Sequence, residues 1–204
     1  PTVTSGDASI CDVTGMTLTL ISSGSCELTA AQAGNANYAA ATSVVHTITI
    51  SKATPTMSSM SAESKTYGDA SFTPNAPSVT YESASVGGSI AYTSSDTSVA
   101  SVNSSSGAVT IAGAGSATIT AAFTPSDTGK FNAVSTTYGV TVAKADQAAL
   151  SLTSISGTYG SGLTLTTSGG TTGGSKSYLV ADGTATGCAV TAGVLSVTGA
   201  GTCS

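Results

Sequence analysis

The fold is decided by a stretch in the middle of the chain, Gly107-Ala108-Val109-Thr110-Ile111-Ala112-Gly113-Ala114-Gly115-Ser116-Ala117-Thr118-Ile119-Thr120-Ala121. Small and aliphatic residues alternate with Thr and Ser on both sides of a glycine-rich turn. A side-chain period of two is typical of a strand with one buried face, and clustered glycines mark turns. The stretch therefore predicts two strands, near 108–111 and 116–123, joined by a tight turn.

The same alternation continues through the rest of the chain. It predicts further strands near 16–20, 25–31, 44–50, 56–60, 89–94, 137–142, 149–152, 163–167 and 195–198. No convincing helix is found, because a run such as Ala39-Ala40-Ala41 is too short to nucleate one. Of all residues, 40 % are hydrophobic and only 7 % are charged. The solubilising surface must therefore come from Ser, Thr, Asn and Gly, and the sequence predicts an all-β protein.

Internal repetition sets the domain organisation. Lys52-Ala53 returns 92 residues later as Lys144-Ala145, and Thr66-Tyr67-Gly68 returns 92 residues later as Thr158-Tyr159-Gly160. Leu28-Thr29-Ala30 resembles Ile119-Thr120-Ala121, 91 residues further on. A repeat of about 90 residues is the size of one seven-stranded sandwich.

The copies are predicted to be unequally complete. Residues 53–145 form a whole unit, residues 1–52 the C-terminal part of one, and residues 146–204 the N-terminal part of another. We interpret the sequence, which begins at Pro1, as a mature or excised segment of a longer protein. The boundaries at 52–55 and 144–147 are short, so we expect stiffly coupled units that form a rod.

Four cysteines form two pairs with equal spacing. Cys11 and Cys26 are 15 residues apart, as are Cys188 and Cys203. The middle copy places Val102 and Ala117 at the same spacing, which is expected of facing positions on neighbouring strands. We predict bonds Cys11–Cys26 and Cys188–Cys203; free thiols or a metal site are the alternatives. Such a loop contributes about 3 kcal/mol and indicates an oxidising, extracellular or cell-surface location.

The charge pattern excludes several function classes. The net charge is −5, with five Lys and no Arg. The chain therefore lacks the cationic surface that binds nucleic acids and anionic membranes. No apolar run approaches the ~18 residues that span a bilayer. We therefore expect neither a nucleic-acid partner nor membrane insertion.

Three segments carry a family resemblance, namely Ser95-Asp96-Thr97-Ser98-Val99-Ala100-Ser101-Val102, Gly107-Ala108-Val109-Thr110 and Gly113 to Ala121. Together they resemble the group 2 bacterial immunoglobulin-like domain of invasin- and intimin-type surface proteins. Cys26 to Tyr38 and Gly187 to Cys203 resemble repeats of very large bacterial surface proteins. The resemblance implies tandem immunoglobulin-like β-sandwich repeats in extracellular stalks, spacers and adhesive arrays, without catalysis. A fold of this kind does not by itself name a ligand.

Few residues could carry chemistry. The acidic residues are scattered and lack the Asp-x-Asp-x-Asp run of a calcium loop; the least implausible calcium ligands are Asp96, Asp127 and Asp146. His46, the single histidine, lies in an alternating strand, and no nucleophile or orienting acid accompanies it in sequence. We therefore predict no catalytic residues, no metal site and no cofactor.

The aromatic residues follow the repeat. Tyr67 and Tyr159 are equivalent, and Tyr38 matches Phe131. Equivalence across copies favours core or corner packing over a carbohydrate platform, which would more often use Trp, a residue the chain lacks.

The sequence predicts a non-enzymatic structural repeat, a stalk, spacer or filament component of a bacterial surface adhesin or fibre. Its expected partners are neighbouring immunoglobulin-like repeats or copies of itself. One alternative is an adhesin module that binds a cell-surface glycan or receptor. The other is a filament subunit whose incomplete end units are completed by neighbouring chains.

Overall fold

The computed structural model describes residues 1–170 and 172–204. Every regular element in these residues is a β-strand, as the alternating sequence predicts. The chain divides into two compact units, Pro1–Lys144 and Ala145–Ser204, and each is described by itself.

The first unit begins with a three-stranded layer and a hairpin. Their strands are β1 (Thr2–Ser5), β2 (Cys11–Thr14), β3 (Thr17–Leu20), β4 (Gly24–Ala31) and β5 (Val44–Ile50). The layer has the order β1-β4-β5 and is antiparallel, while β2 pairs with β3. Strand β5 forms one edge of this layer.

The remainder of the first unit holds nine strands. They are β6 (Thr56–Met57), β7 (Glu63–Thr66), β8 (Val79–Tyr81), β9 (Ala84–Ser85), β10 (Gly88–Ser94), β11 (Ala100–Val102), β12 (Val109–Ile111), β13 (Gly115–Pro125) and β14 (Val134–Ala143). One sheet has the order β10-β13-β14-β7, and β6-β8-β9 and the β11–β12 hairpin form separate sheets. Strand β7 pairs with β14 in parallel.

The apolar core lies between these sheets and is built from alternate residues. Along β13, Ala117, Ile119 and Ala121 are buried, while the residues between them face outward. Tyr92, Val109 and Val140 complete the core together with neighbouring aliphatic side chains. Burial of an Ile or Val side chain contributes roughly 1.5–3 kcal/mol, so this two-layered core holds together residues 53–144, called the complete unit below.

The second unit, Ala145–Ser204, is built of short strands. They are β15 (Ser151–Leu152), β16 (Leu163–Thr164), β17 (Thr167–Ser168), β18 (Ala189–Thr191) and β19 (Val194–Ser196). β15 pairs with β17, and a second sheet has the order β16-β19-β18.

The long strands lie where the alternation predicts them, and the differences lie in short or irregular elements. Strand β7 is not among the predicted strands, because Glu63-Ser64-Lys65-Thr66 carries two charges and no apolar alternation. The short strands β1, β2, β8, β9, β11 and β18 are not among them either. The single strand predicted near 163–167 is divided into β16 and β17 in the structure. Short strands carry too few residues for periodicity to define them.

One equivalence inferred from spacing is wrong. In the structure the Cys11 N–H donates to Asp7 O over 3.0 Å, and the Ala100 N–H donates to Asp96 O over the same distance. The counterpart of Cys11 is therefore Ala100, not Val102. Ala100 and its ladder partner Ile111 are 11 residues apart, whereas Cys11 and its partner Leu20 are 9 apart. The hairpin of the complete unit is therefore two residues longer, and equal spacing selected the wrong residue.

Candidate functional site

Both cysteine pairs are bonded and lie at corresponding places. Cys11 in β2 is joined to Cys26 in β4, with Cα atoms 5.9 Å apart, and Cys188 is joined to Cys203 over 6.1 Å. Cys11 and Cys26 are fully buried. The first bond ties the β2–β3 hairpin to β4, and Ala100 and Ala117 fill the same places in the complete unit. The second bond joins Cys188, which directly precedes β18, to Cys203, which forms an isolated bridge with Asp182. The disulfide thus replaces apolar packing at one fixed point of the repeat.

A glycine beside this point recurs in all three copies. Gly24, Gly115 and Gly201 have φ angles of +146°, +147° and +151°, which L side chains rarely adopt. A Cβ on Gly115 would lie 2.8 Å from Val99 Cγ2, and one on Gly24 would lie 2.9 Å from Ile10 Cδ1. The glycine therefore allows the β11–β12 type of hairpin to approach the main sheet in every copy.

Asp7 and Asp96 organise equivalent turns. Asp7 Oδ1 accepts hydrogen bonds from Ser9 N at 2.9 Å and Ser9 Oγ at 2.6 Å, and Asp96 receives the same two bonds from Ser98. The serine hydroxyl and the backbone N–H lower the pKa of both carboxyls, because they stabilise the charged form. These carboxylates are thus committed to their own turns.

The structure does not assemble the predicted calcium ligands. Asp127 accepts bonds from Gly129 N and Lys130 N and forms an ion pair with Lys130 Nζ at 3.2 Å. Partial desolvation raises the pKa of Asp127, but the contacts with Lys130 and Gly129 outweigh it, so the pKa is lowered. Asp146 belongs to the other unit. Within residues 1–170 and 172–204, no three acidic, His or Cys side chains group as metal ligands would.

The boundary near residue 53 is hydrogen-bonded on two sides. The Ala53 N–H donates to Lys130 O, and the Asn132 N–H donates to Ala53 O, both over 2.8 Å. The Asn132 side-chain amide also donates to Thr54 Oγ1 over 2.9 Å. The start of the complete unit is therefore fastened to its last loop.

The same loop also contacts residues 1–52. The Ser23 N–H donates to Gly129 O over 2.9 Å, and a Cβ on Gly129 would lie 2.7 Å from Ser22 Oγ. The glycine permits a backbone approach that a larger residue would obstruct. Consequently, residues 1–52 and the complete unit meet through a polar, tightly fitted junction.

Strand β7 is the second attachment of the N-terminal segment. Glu63 to Thr66 pair in parallel with Val140 to Ala143, and the Tyr67 N–H donates to Ala143 O over 2.8 Å. Lys65 Nζ lies 3.3 Å from Glu63 Oε2 and 4.6 Å from the centroid of the Phe72 ring. The two charged side chains of β7 thus neutralise each other on the strand.

Of the four aromatic side chains predicted to pack in the core or at a corner, three lie outside the core. Tyr38, Tyr67 and Tyr159 are 76 %, 53 % and 61 % exposed, because they lie in turns and loops instead of on inward strand positions. Tyr159 does make a corner contact, since its hydroxyl donates to Thr198 O over 3.2 Å. Phe131 is half-buried and meets Tyr81 edge-on, with ring centroids 5.6 Å apart.

Two other tyrosines fill the core. Tyr92 and Tyr138 are 6 % and 4 % exposed, and both stand at inward positions of alternating strands, a signal that the sequence already contained. Burial raises the pKa of Tyr92, and burial together with Tyr92 and Glu63 raises the pKa of Tyr138 to about 12. The Tyr138 hydroxyl is buried and has no hydrogen-bond partner among the described residues.

His46 is exposed and faces no catalytic group that the structure describes. It pairs with Leu28 across β4 and β5, just as Tyr138 pairs with Ile119 across β13 and β14. His46 thus occupies the position that a buried tyrosine fills in the complete unit.

Comparison with known proteins agrees with the resemblance. Residues 80–124, which span β8 to β13, match the family model described as "Intimin, immunoglobulin-like domain". This confirms the resemblance of the central stretch to an immunoglobulin-like domain of an intimin-type surface protein. No curated protein sequence matches the chain, and no helix in the described residues is long and apolar enough to cross a membrane.

Several solved structures align at low similarity. Protocadherin Gamma B2 extracellular cadherin domains 3–6 align with 16 % identity and a TM-score of 0.33, over 74 % of this chain and 42 % of that one. Drosophila N-cadherin EC1–4 aligns with 14 % identity and a TM-score of 0.36, over 89 % and 54 %. Drosophila N-cadherin EC1–3 aligns with 12 % identity and a TM-score of 0.32, over 69 % and 53 %. The chain spans about half the length of these structures, and at these TM-scores the likeness carries no conclusion.

Proposed function

We propose that this chain is a non-catalytic, extracellular structural repeat, a load-bearing stalk, spacer or filament component of a bacterial surface adhesin. The observation that carries the proposal is the parallel pairing of β7 with β14, the strands near the start and the end of the complete unit. The match of residues 80–124 to the intimin immunoglobulin-like model supports the surface-adhesin class.

The hydrogen-bond geometry suits a molecule under tension. The chain enters the complete unit at Ala53 and leaves it after Ala143, and its two terminal segments run in the same direction. Pulling on both ends moves parallel strands past each other, so the four paired positions of β7 are loaded together instead of one by one. The isolated bridge between Ala53 and Phe131 is also parallel, so it is loaded in the same way.

The junction and the disulfides support the same function. The hydrogen bond between Ser23 and Gly129 restricts the motion of residues 1–52 relative to the complete unit, as a stiff rod requires. Each disulfide prevents the residues between its two cysteines from extending under load. Disulfides also agree with an extracellular or cell-surface location. The scarcity of charge leaves no basic surface for nucleic acid.

Single-molecule stretching of the full chain tests the proposal. The complete unit has 92 residues between Ala53 and Lys144, so we expect one unfolding step of roughly 280 Å at about 3.4 Å per residue, after subtraction of the folded length. Tyr67→Pro removes the N–H that bonds Ala143 O and should lower the rupture force. Tyr67→Ala keeps that N–H and is the matched control. Featureless extension, or equal forces in both variants, would contradict a load-bearing function.

A further inference from the structure

The turn between β11 and β12 carries an asparagine in a defined sequence context. Asn103-Ser104-Ser105 is the only Asn-x-Ser/Thr tripeptide in the chain, and its middle residue is not proline. This pattern is the acceptor sequence of N-glycosylation, which attaches a bulky, soluble sugar to surface loops of secreted proteins. The two disulfides agree with an extracellular or cell-surface location, where such sugars are found. A short tripeptide also arises by chance in a Ser-rich chain, so the geometry of the turn decides what it can do.

This turn is an extension that the other two hairpins lack. In the complete unit the Asn103 N–H donates to Ala108 O over 2.8 Å, and the four residues 104–107 join these two positions. In the other hairpins only two residues, Gly15-Met16 and Ala192-Gly193, join the corresponding paired positions. The acceptor tripeptide therefore lies in a part of the hairpin that the strand pairing common to the copies does not require.

The side chain of Asn103 is oriented by its own turn. Asn103 Oδ1 accepts the Ser105 N–H over 3.0 Å and the Ser106 N–H over 2.9 Å. Two N–H donors identify the atom that they meet as the oxygen, so the amide nitrogen Nδ2 is the other atom of the group. Within residues 1–170 and 172–204, neither this Nδ2 nor the Ser105 hydroxyl takes part in a hydrogen bond. Asn103 and Ser105 are both exposed, so the two groups that the acceptor pattern requires lie free at the surface.

The backbone of the turn is fixed without help from the amide nitrogen. The Gly107 N–H donates to Asn103 O over 3.0 Å, and the Tyr92 N–H donates to Ser104 O over 2.9 Å. Gly107 has a φ angle of +72°, and a Cβ on it would lie 3.0 Å from Tyr92 Cζ. None of these contacts uses Asn103 Nδ2. Replacing one hydrogen of Nδ2 by a sugar therefore leaves every hydrogen bond of the turn in place.

We propose that Asn103 is an N-glycosylation site whose donor is a sugar activated as a diphosphate, carried on a lipid or on a nucleotide. A transferase joins Asn103 Nδ2 to the anomeric carbon of the sugar, and the bond between that carbon and the diphosphate oxygen breaks. The diphosphate leaves with the electron pair of the broken bond, and one Nδ2 proton passes to a base of the transferase. The Ser105 hydroxyl, two residues after the asparagine, is the group by which the transferase recognises the site.

The position of the site separates it from the load-bearing strands. Through Tyr92, the turn is attached to β10, which lies at the opposite edge of its sheet from β7. A sugar on Asn103 would therefore stand away from the β7–β14 pairing. The inference goes beyond the proposed structural function and does not depend on it.

Two experiments on the full chain test the site, one for each form of the donor. In the first, a eukaryotic host secretes the chain past its oligosaccharyltransferase, which uses a lipid diphosphate. In the second, the purified chain is incubated with a soluble bacterial N-glycosyltransferase and UDP-glucose. We expect one glycan per chain in at least one experiment, as an oligosaccharide mass in the first or a gain of a single hexose in the second. Peptide mass spectrometry should locate it at Asn103.

Three substitutions separate this site from other modifications. Asn103→Gln removes the acceptor, and Ser105→Ala removes the hydroxyl but keeps the N–H that bonds Asn103 Oδ1; both should lower the glycosylated fraction at least tenfold. Ser104→Ala is the matched control, because the middle position of the tripeptide is not read, and it should change that fraction less than twofold. Absence of a glycan in both experiments, or a glycan that persists in Asn103→Gln or Ser105→Ala, overturns the proposal.

Discussion

A disulfide can be transferred into the complete unit at a position that the structure defines. Ala100 and Ala117 fill the places of Cys11 and Cys26, and they are 0 % and 4 % exposed. The backbone around them makes the same hydrogen bonds as in the first copy, where the cystine Cα atoms are 5.9 Å apart. We therefore expect Ala100→Cys/Ala117→Cys to oxidise spontaneously without moving the backbone.

The gain can be estimated from the loop that the new bond closes. Residues 100 and 117 are 17 apart, which gives roughly 3 kcal/mol of lost unfolded-state entropy. Two sulfur atoms must fit where two methyl groups are now packed, and overpacking of this kind costs about 1 kcal/mol. A net gain of about 2 kcal/mol corresponds to a rise of about 8–16 °C in the melting temperature of a unit of this size.

Oxidation is followed by intact mass after thiol alkylation, and stability by thermal and guanidinium unfolding before and after selective reduction of the engineered bond. The reduced form of the same variant is the reference, because it contains the same two sulfur atoms.

The matched control uses the pair that equal spacing suggests. Val102 and Ala117 are 15 residues apart, like the natural pairs, but Val102 lies two residues, about 6.8 Å, further along β11 than Ala100. Val102→Cys/Ala117→Cys should therefore stay reduced or lose stability. If this pair formed the bond and Ala100→Cys/Ala117→Cys did not, the structural equivalence of the copies would be refuted.

Three further predictions concern the complete unit. Ile119→Ala should destabilise it by about 2–5 kcal/mol, because Ile119 is fully buried, whereas Thr118→Ala on the exposed face should change the free energy of unfolding by less than about 0.5 kcal/mol; chemical denaturation measures both, and equal losses would disprove the assigned strand faces. Tyr138→Phe removes a buried hydroxyl without a partner among the described residues and should stabilise the unit by about 1 kcal/mol. Because the pKa of Tyr138 is raised to about 12, its contribution is present below pH 10 and is lost as the pH rises toward 12, so the variant should also unfold less steeply in alkaline titration; an unchanged alkaline profile would speak against this. The turn between β8 and β9 has φ angles of +48° at Glu82 and +69° at Ser83, so Glu82→Asn/Ser83→Gly should stabilise the unit by about 1 kcal/mol, and a lower melting temperature would show that the turn differs.

Much of the fold follows from local sequence, because the long strands are specified by alternation. Along β13 the buried and exposed residues alternate from Ala117 to Pro125, and its boundaries differ from the predicted ones by two residues or fewer. The parallel strand β7 could not be predicted in this way. Its stability comes from pairing with β14, more than 70 residues away in sequence, and from the Glu63–Lys65 ion pair.

Some features of the candidate site could likewise be predicted from the sequence, and others could not. The cystine pairing follows from repetition, since two equal spacings in equivalent segments are hard to explain otherwise. The structural counterpart of Cys11 does not follow from repetition. A longer turn between β11 and β12 changes the number of residues between the two positions without changing the strand pairing. The tyrosines show the other limit of repetition. Tyr67 and Tyr159 recur together with the glycines that follow them, so the conserved feature of the two copies is the turn and not a core contact.

The comparison of the copies also explains why a cystine and two alanines can serve the same position. In the complete unit, residues 53–81 cover the core, so Ala100 and Ala117 are held by packing on both sides. In residues 1–52 the hairpin β2–β3 lies on a layer whose inward residues Val3, Leu28 and Ile48 are only partly buried. Packing therefore holds this hairpin less firmly than it holds β11 and β12, and the covalent bond between Cys11 and Cys26 keeps it attached to β4.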